Sequence, residues 1–254
     1  MEKIDEEFAK TTKILLGASL SPVQKYEEWL TQRIPKGKIV KSVFGDEEIY
    51  MPEFSFWKFL KTNKIAALSQ MKRAEALKID EVNEGEGIRA LARRLKKIAY
   101  YIGEWNEGEN FNVKESNIFK DSANLYKIID VFFSKNAAYS VYSYYDENVF
   151  GCFRAFYSKF CINCYNSSNL SGCLETDSSA RSSGCYFCHN VENLQDALFC
   201  SNVKNLRYAV GNVEVGREEF LRIKEILLEY IREKLAKEGK LELDVYNIGC
   251  VGGK

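Results

Sequence analysis

The chain holds only three prolines and one histidine among 254 residues, and no net charge, since Lys plus Arg and Asp plus Glu both number 36. Each shortage excludes something. Without net charge there is no global field to draw nucleic acid or an anionic membrane, so only a local patch can supply one. There is no run of roughly eighteen apolar residues, so no membrane span is expected. The opening "MEKIDEEFAK" is charged where a secretory signal would be apolar. The expected compartment is therefore the reducing cytoplasm. With His189 as the one histidine, a histidine base has a single candidate. "GCVGGK" near the C-terminus lacks the spacing and the following helix of a phosphate-cradling loop.

What the chain has is a concentration of cysteine. Of eight cysteines, seven lie between Cys152 and Cys200, and Cys250 stands alone. Cys152, Cys164, Cys188 and Cys200 are separated by multiples of twelve, with Thr176 in the vacant slot, and Cys161, Cys173 and Cys185 form a second column with Ala197 and Ala209. The neighbouring stretches "CHNVENLQDALF" and "CSNVKNLRYAVG" are near copies at the same period. Extended backwards, the period reaches Ser116. Small or apolar residues recur at the first, fourth, tenth and eleventh places, and at the seventh as Leu170, Leu194 and Leu206.

A period of twelve is not helical, and the Ser, Asn, Thr, Tyr and Val content opposes helix. It predicts a solenoid with one repeat per coil, strand stacked on strand at ~4.8 Å, about eight coils and a rod roughly 40 Å long. A narrow interior accepts Cys, Ala, Ser, Thr and Val. Asn166, Asn190, Asn202, Asn169, Asn193 and Asn205 suit corners, where Asn tolerates the left-handed backbone. The alternative is a conventional sheet whose repeats are partly chance.

The expected fold is thus α+β: a helical N-terminal region, a β-solenoid of ~12-residue coils and a C-terminal capping helix. The segments are 1–112, mainly helical with a β-hairpin near 38–51, then 113–215 as solenoid, then 216–254 as capping helix and tail. Ser21 and Pro22 read as the start of a helix over "SPVQKYEEWLTQRI". "FSFWKFLKTNKIAALSQMKRAEALKI" reads as helix with a break near Asn63. "EGIRALARRLKKIAYYIG" reads as a longer one, with Ile88, Leu91, Leu95, Ile98 and Ile102 on one face and Gly103 as its stop. "REEFLRIKEILLEYIREKLAKEG" carries a stripe from Phe220 to Ile231 and sits where a solenoid needs an end cap.

Two chemistries compete for the thiols. Cys161-x-x-Cys164 and Cys185-x-x-Cys188 have zinc-ribbon spacing. In a solenoid, however, the pairs lie two coils apart, near 10 Å, whereas tetrahedral zinc holds its sulfurs within ~4 Å of each other. The ribbon also leaves Cys152, Cys173 and Cys200 unused. Buried core thiols are the favoured reading and no cofactor is expected; zinc is the alternative. Cys-to-Ser changes at buried positions should then cost about 1–3 kcal/mol.

Arg89, Arg93, Arg94, Lys96 and Lys97 form a basic run that can meet phosphates or face solvent. Tyr144, Tyr145, Phe156 and Tyr157 stack in two columns and imply a partner surface or a docked part of the same chain.

The twelve-residue Cys/Asn-rich coils, ending in "NLRYAVGNVEVGREEFLRIKEILLEYI", resemble cysteine-rich short-coil β-solenoid proteins of uncultured prokaryotes and their viruses. The resemblance covers Ser116 to Ile231 and transfers no catalytic residue. It implies a solenoid, and a virion as the location if the chain is viral. The function expected is non-enzymatic: a structural or protein-interaction protein, part of a larger cellular or viral assembly, with a protein partner or self-assembly. The alternative is a zinc-binding, nucleic-acid-interacting module that uses Cys161, Cys164, Cys185 and Cys188 with the basic run.

Overall fold

The computed structural model describes residues 1–81, 85–144, 150–151, 154–156, 162–163, 165–168 and 172–250; for 143–144, 154–156 and 166–168 it describes the backbone alone. These residues form two compact units, one of Met1–Pro35 with Glu107–Lys254 and one of Lys36–Asn106.

The larger unit is built on a β-solenoid. Its strands pair in parallel at a register of twelve, for example Val141 with Ile129, Thr176 with Cys188 and Leu198 with Val210. A shorter period runs inside the twelve. Among the described residues from Asn112 to Gly211, every left-handed residue lies a multiple of three from the next, as in Asn112, Glu115, Ile118, Asp121 and Asn124 at one end and Asn202, Asn205, Tyr208 and Gly211 at the other. Each triplet thus has one residue pointing in, one pointing out and one left-handed corner, and four triplets close one coil. The inward residues include Leu125, Ile128, Val131, Cys173, Cys185, Cys188, Val191, Leu194, Cys200 and Ala209, which share one buried cluster.

Left-handed backbone costs an L-residue roughly 1–2 kcal/mol, and Asn least. Many corners offset this with amide ladders. Asn112 donates to Asn124 (2.8 Å), Asn124 to Asn136 (2.7 Å), Asn190 to Asn202 (2.8 Å) and Asn193 to Asn205 (2.8 Å). Ile118 holds the same backbone at φ 57 with a β-branched side chain and no ladder. Ile118→Asn is therefore expected to raise stability by about 1 kcal/mol, read as a higher denaturation midpoint. An unchanged or lower midpoint counts against corner strain at this site.

The last coil is closed by its own residues. Asn212, out of step with the triplets, accepts from Ser201 N through Oδ1 (2.8 Å) and donates to Ser201 O (2.9 Å). Its side-chain amide thereby stands in for the peptide of a further coil. Glu214 accepts from Arg207 N (2.8 Å), and Val213–Glu214 turns back antiparallel on Arg207–Val210. Such closure blunts an edge that would otherwise pair with other chains.

The eleventh column does not point inward, because neighbours on extended backbone face opposite sides. Tyr126, Ala138, Phe150, Ile162, Leu174, Tyr186 and Leu198 form an apolar strip on one outer side, buried under two helices and the segment between Leu20 and Leu30. The first helix, Glu2–Leu16, ends on left-handed Gly17 and buries Ile4, Phe8, Leu15 and Leu16. Phe8 meets Phe150 at 5.1 Å, and Tyr186 donates to Leu15 O (2.8 Å). The C-terminal helix, Arg217–Glu238, joins the same strip: Phe220 packs on Tyr208 (5.7 Å) and Arg232 donates to Leu16 O (3.1 Å). Ser21 is not a helix cap. Pro22 precedes a short 3₁₀ turn, Val23–Tyr26, and the first-helix Asp5 accepts from Val23 N (2.8 Å).

The smaller unit is less helical than its sequence predicts. The hairpin forms, pairing Gly37–Lys41 with Glu48–Pro52. "FSFWKFLKTNK" gives only two 3₁₀ turns, and Ile65–Ala66 is a strand paired in parallel with Tyr101–Ile102. The basic helix spans Ile88–Arg94 alone, and its expected apolar stripe is not buried: Ile88 is 78% exposed. The β-favouring "YYI" at its end is used as strand instead. Gly103 serves close approach, since a Cβ there would lie 2.6 Å from both Ile65 and Met51.

Candidate functional site

The thiols are the first candidate. Cys173, Cys185, Cys188 and Cys200 are all inward and buried. Cys188 and Cys200 each donate to the carbonyl two residues back (3.4 and 3.5 Å), and Asn212 N donates to Cys200 Sγ (3.4 Å). Ser116 and Ser182 do the same with hydroxyls: each donates to the carbonyl two residues back and accepts from the N–H twelve residues on. Cysteine is thus used here as a slender side chain that satisfies backbone. The thiol neighbours Cys173 and Cys188, together with burial, push the Cys185 thiol up, and burial of all four keeps reagents away from them. Cys161 and Cys164 lie outside the described residues, and among the described residues no group of three or more His, Cys, Asp or Glu can hold a metal ion.

Two results follow. On native protein Cys250, which is exposed, should react with a thiol reagent at once, and the four buried thiols only on unfolding. Fast reaction at any of those four sites contradicts a packed interior. Cys200→Ser should cost less than the 1–3 kcal/mol of an orphaned hydroxyl, staying within about 1 kcal/mol, because Leu198 O and Asn212 N are already in place. A larger loss in denaturant unfolding argues against equivalence with serine.

The aromatic candidates are described in part, through the backbone of Tyr144 and Phe156. Tyr145 and Tyr157 lie outside the described residues. Tyr144 pairs in register with Phe132 on one strand and Phe156 on the next. Phe133, at the corner beside Phe132, is 53% exposed.

The basic run is divided. Arg94 pairs with Glu86 (2.8 Å) and Lys97 with Asp80 (2.6 Å). Arg89, Arg93 and Lys96 are exposed.

A polar cluster missing from the sequence analysis lies where the C-terminal segment crosses the solenoid. Glu175 is fully buried at a left-handed corner. Its carboxylate accepts from Asn163 Nδ2 (2.8 Å), Tyr165 Oη (3.3 Å), Gln32 Nε2 (3.4 Å) and Val245 N (3.2 Å). Burial pushes its pKa up to about 7, against these donors. Beside it Arg33 donates through Nε to Asp244 (3.1 Å) and lies over the Tyr246 ring (5.6 Å). Tyr246 in turn packs on Tyr165 (5.5 Å). Further out, half-exposed His189 holds Asp177 through Nδ1 at 2.8 Å. Twelve residues separate the two, so the repeat itself places them together.

No protein-family model, curated protein or solved structure matches the chain. The cluster is judged on its chemistry alone. A histidine with Nδ1 on a carboxylate keeps Nε2 as a proton acceptor, yet among the described residues no hydroxyl or thiol is hydrogen-bonded to His189. Glu175 is sealed, and its partners come from three segments: Gln32, the solenoid residues Asn163 and Tyr165, and Val245. It works as a buried clasp holding these together.

Proposed function

We propose that the chain is a non-enzymatic structural or protein-interaction protein that presents the outer side of its middle coils to a protein partner in a larger cellular or viral assembly. One observation carries this reading: Phe133 is 53% exposed at a strained corner, beside an in-register column of Phe132, Tyr144 and Phe156. Asn193 and Asn205 occupy the equivalent corner further along and satisfy each other. An exposed aromatic ring favours a protein interface, where such residues dominate binding energy. The resemblance to short-coil solenoids of prokaryotes and their viruses belongs to the same proposal.

A photo-reactive phenylalanine at Phe133 tests it, with the same group at exposed Lys204 as control. The expected result is a discrete protein adduct, or a dimer of this chain, from position 133 and none from 204. Equal labelling at both positions, or no adduct from 133, removes the proposal.

A further inference from the structure

The chain's neutrality conceals a division of charge. Lys36–Asn106 carries fourteen Lys and Arg against ten Asp and Glu, an excess of four positive charges, and the rest of the chain carries the opposite excess. Within this smaller unit the 3₁₀ turn Ser55–Phe59 buries no residue. Its three-residue pitch brings positions 56 and 59 to the same side, and Phe56 and Phe59 are 58% and 75% exposed. Trp57 packs beside Phe56 with ring centres 4.5 Å apart, and Lys58 Nζ lies 5.2 Å from the Phe59 ring.

Cations line the adjoining surface. A small cavity of about 100 Å³ has Lys38, Lys58 and Glu53 among its polar residues and Trp57, Met51 and Leu60 among its apolar ones. A shallow groove shares Lys38 with it and continues past Lys41, Thr62 and Asn63. Lys38 pairs with Glu53 (2.9 Å) and Lys41 with Asp46 (3.5 Å). Both pairs are exposed, and such pairs hold their partners weakly enough to exchange for a stronger anion.

From this juxtaposition we propose that this face of the smaller unit binds single-stranded nucleic acid, with phosphates along Lys38, Lys41 and Lys58 and bases stacked on Phe56 and Phe59. Rings spaced along a turn and flanked by lysines suit an unpaired strand, whose bases are free to stack. A duplex hides those faces. The charged rim of the cavity suits the polar edge of a planar heterocycle better than an acyl chain, which disfavours a lipid surface. The proposal concerns a surface distinct from the aromatic side of the solenoid.

Fluorescence anisotropy of a labelled single-stranded oligonucleotide of about twenty residues, titrated with the full chain, reads the binding. With three or four phosphates neutralised, affinity should fall about 20- to 50-fold between roughly 50 and 200 mM salt. Phe59→Ala should weaken binding about tenfold and leave that salt dependence unchanged. Lys58→Gln should flatten it. Both side chains are exposed, and unchanged thermal denaturation confirms that the variants fold. Several results overturn the proposal: no binding at low salt, equal affinity for duplex of the same length, or indifference to Phe56→Ala and Phe59→Ala. Sedimentation with anionic phosphatidylserine vesicles that the oligonucleotide does not compete away would assign the face to a membrane instead.

Discussion

Raising the pH from 4.5 to about 7 should weaken the native state by about 3 kcal/mol through Glu175 alone. Its carboxyl has an ordinary value of 4.5 and is lifted to about 7 by burial. Below 4.5 it is protonated whether the chain is folded or not, and its contribution is complete. Between the two values the unfolded chain ionises first, so stability drains away as pH rises, and above about 7 the loss is constant. Half-exposed carboxylates paired with cations, such as Glu192 with Lys204 and Arg181, titrate in the opposite sense. The test is therefore a difference: urea unfolding of the wild type and Glu175→Gln across this range. Glutamine keeps an acceptor for Asn163 and sets an amide NH2 against Val245 N; because an amide does not ionise, its stability should lack the wild type's slope whatever its level. Glu175→Ala abandons four donors and should lose about 3–5 kcal/mol. Parallel pH curves for wild type and Glu175→Gln would show that Glu175 ionises freely and is no clasp.

Trp29→Ala should lose about as much, roughly 3–5 kcal/mol, and Trp29→Phe very little. Trp29 is 0% exposed in the cluster that joins the first helix to the outer strip, with the Tyr26 ring 6.5 Å away. Truncation to alanine leaves a large cavity. The indole Nε1, however, has no hydrogen-bond partner among the described residues, and an orphaned buried donor costs about 1–3 kcal/mol. Phenylalanine removes that penalty along with part of the ring, and the two changes nearly cancel. Chemical denaturation of both variants decides the matter. If phenylalanine is as damaging as alanine, the indole N–H is satisfied and the argument fails.

The stacked architecture was legible because vertical neighbours demand like residues, and Cys161, Cys173 and Cys185 advertise that demand at intervals of twelve. The triplet was hidden. Its corners accept Asn, Asp, Glu, Phe and Tyr alike, and its inward seventh place alternates Ser122, Ser134 and Ser182 with Leu194 and Leu206. The first helix escaped notice because Thr11 and Thr12 interrupt its apolar face between Phe8 and Leu15; both are buried, and Thr12 accepts from Leu20 N (2.9 Å). The helix expected from Ile88 stops short at Arg94, and its periodic Ile88 and Leu95 stay exposed instead of entering a core. The cluster at Glu175 gathers residues 32, 163, 165, 175 and 245, and no local pattern connects them. His189 and Asp177 were findable, since the period aligns them.

The left-handed corners also give this fold a frame, in the sense that a coding sequence has one. Inserting or deleting one or two residues within the solenoid exchanges inward, outward and corner roles for everything downstream, burying charges such as Glu192 and expelling Cys185 and Leu194. An insertion of three keeps every role but shifts each later residue by a quarter of a coil. The apolar strip under the helices would then change sides part-way along. Only twelve leaves both intact. Length variants that still fold should therefore differ by whole coils, and the rod can grow or shrink only in steps of ~4.8 Å.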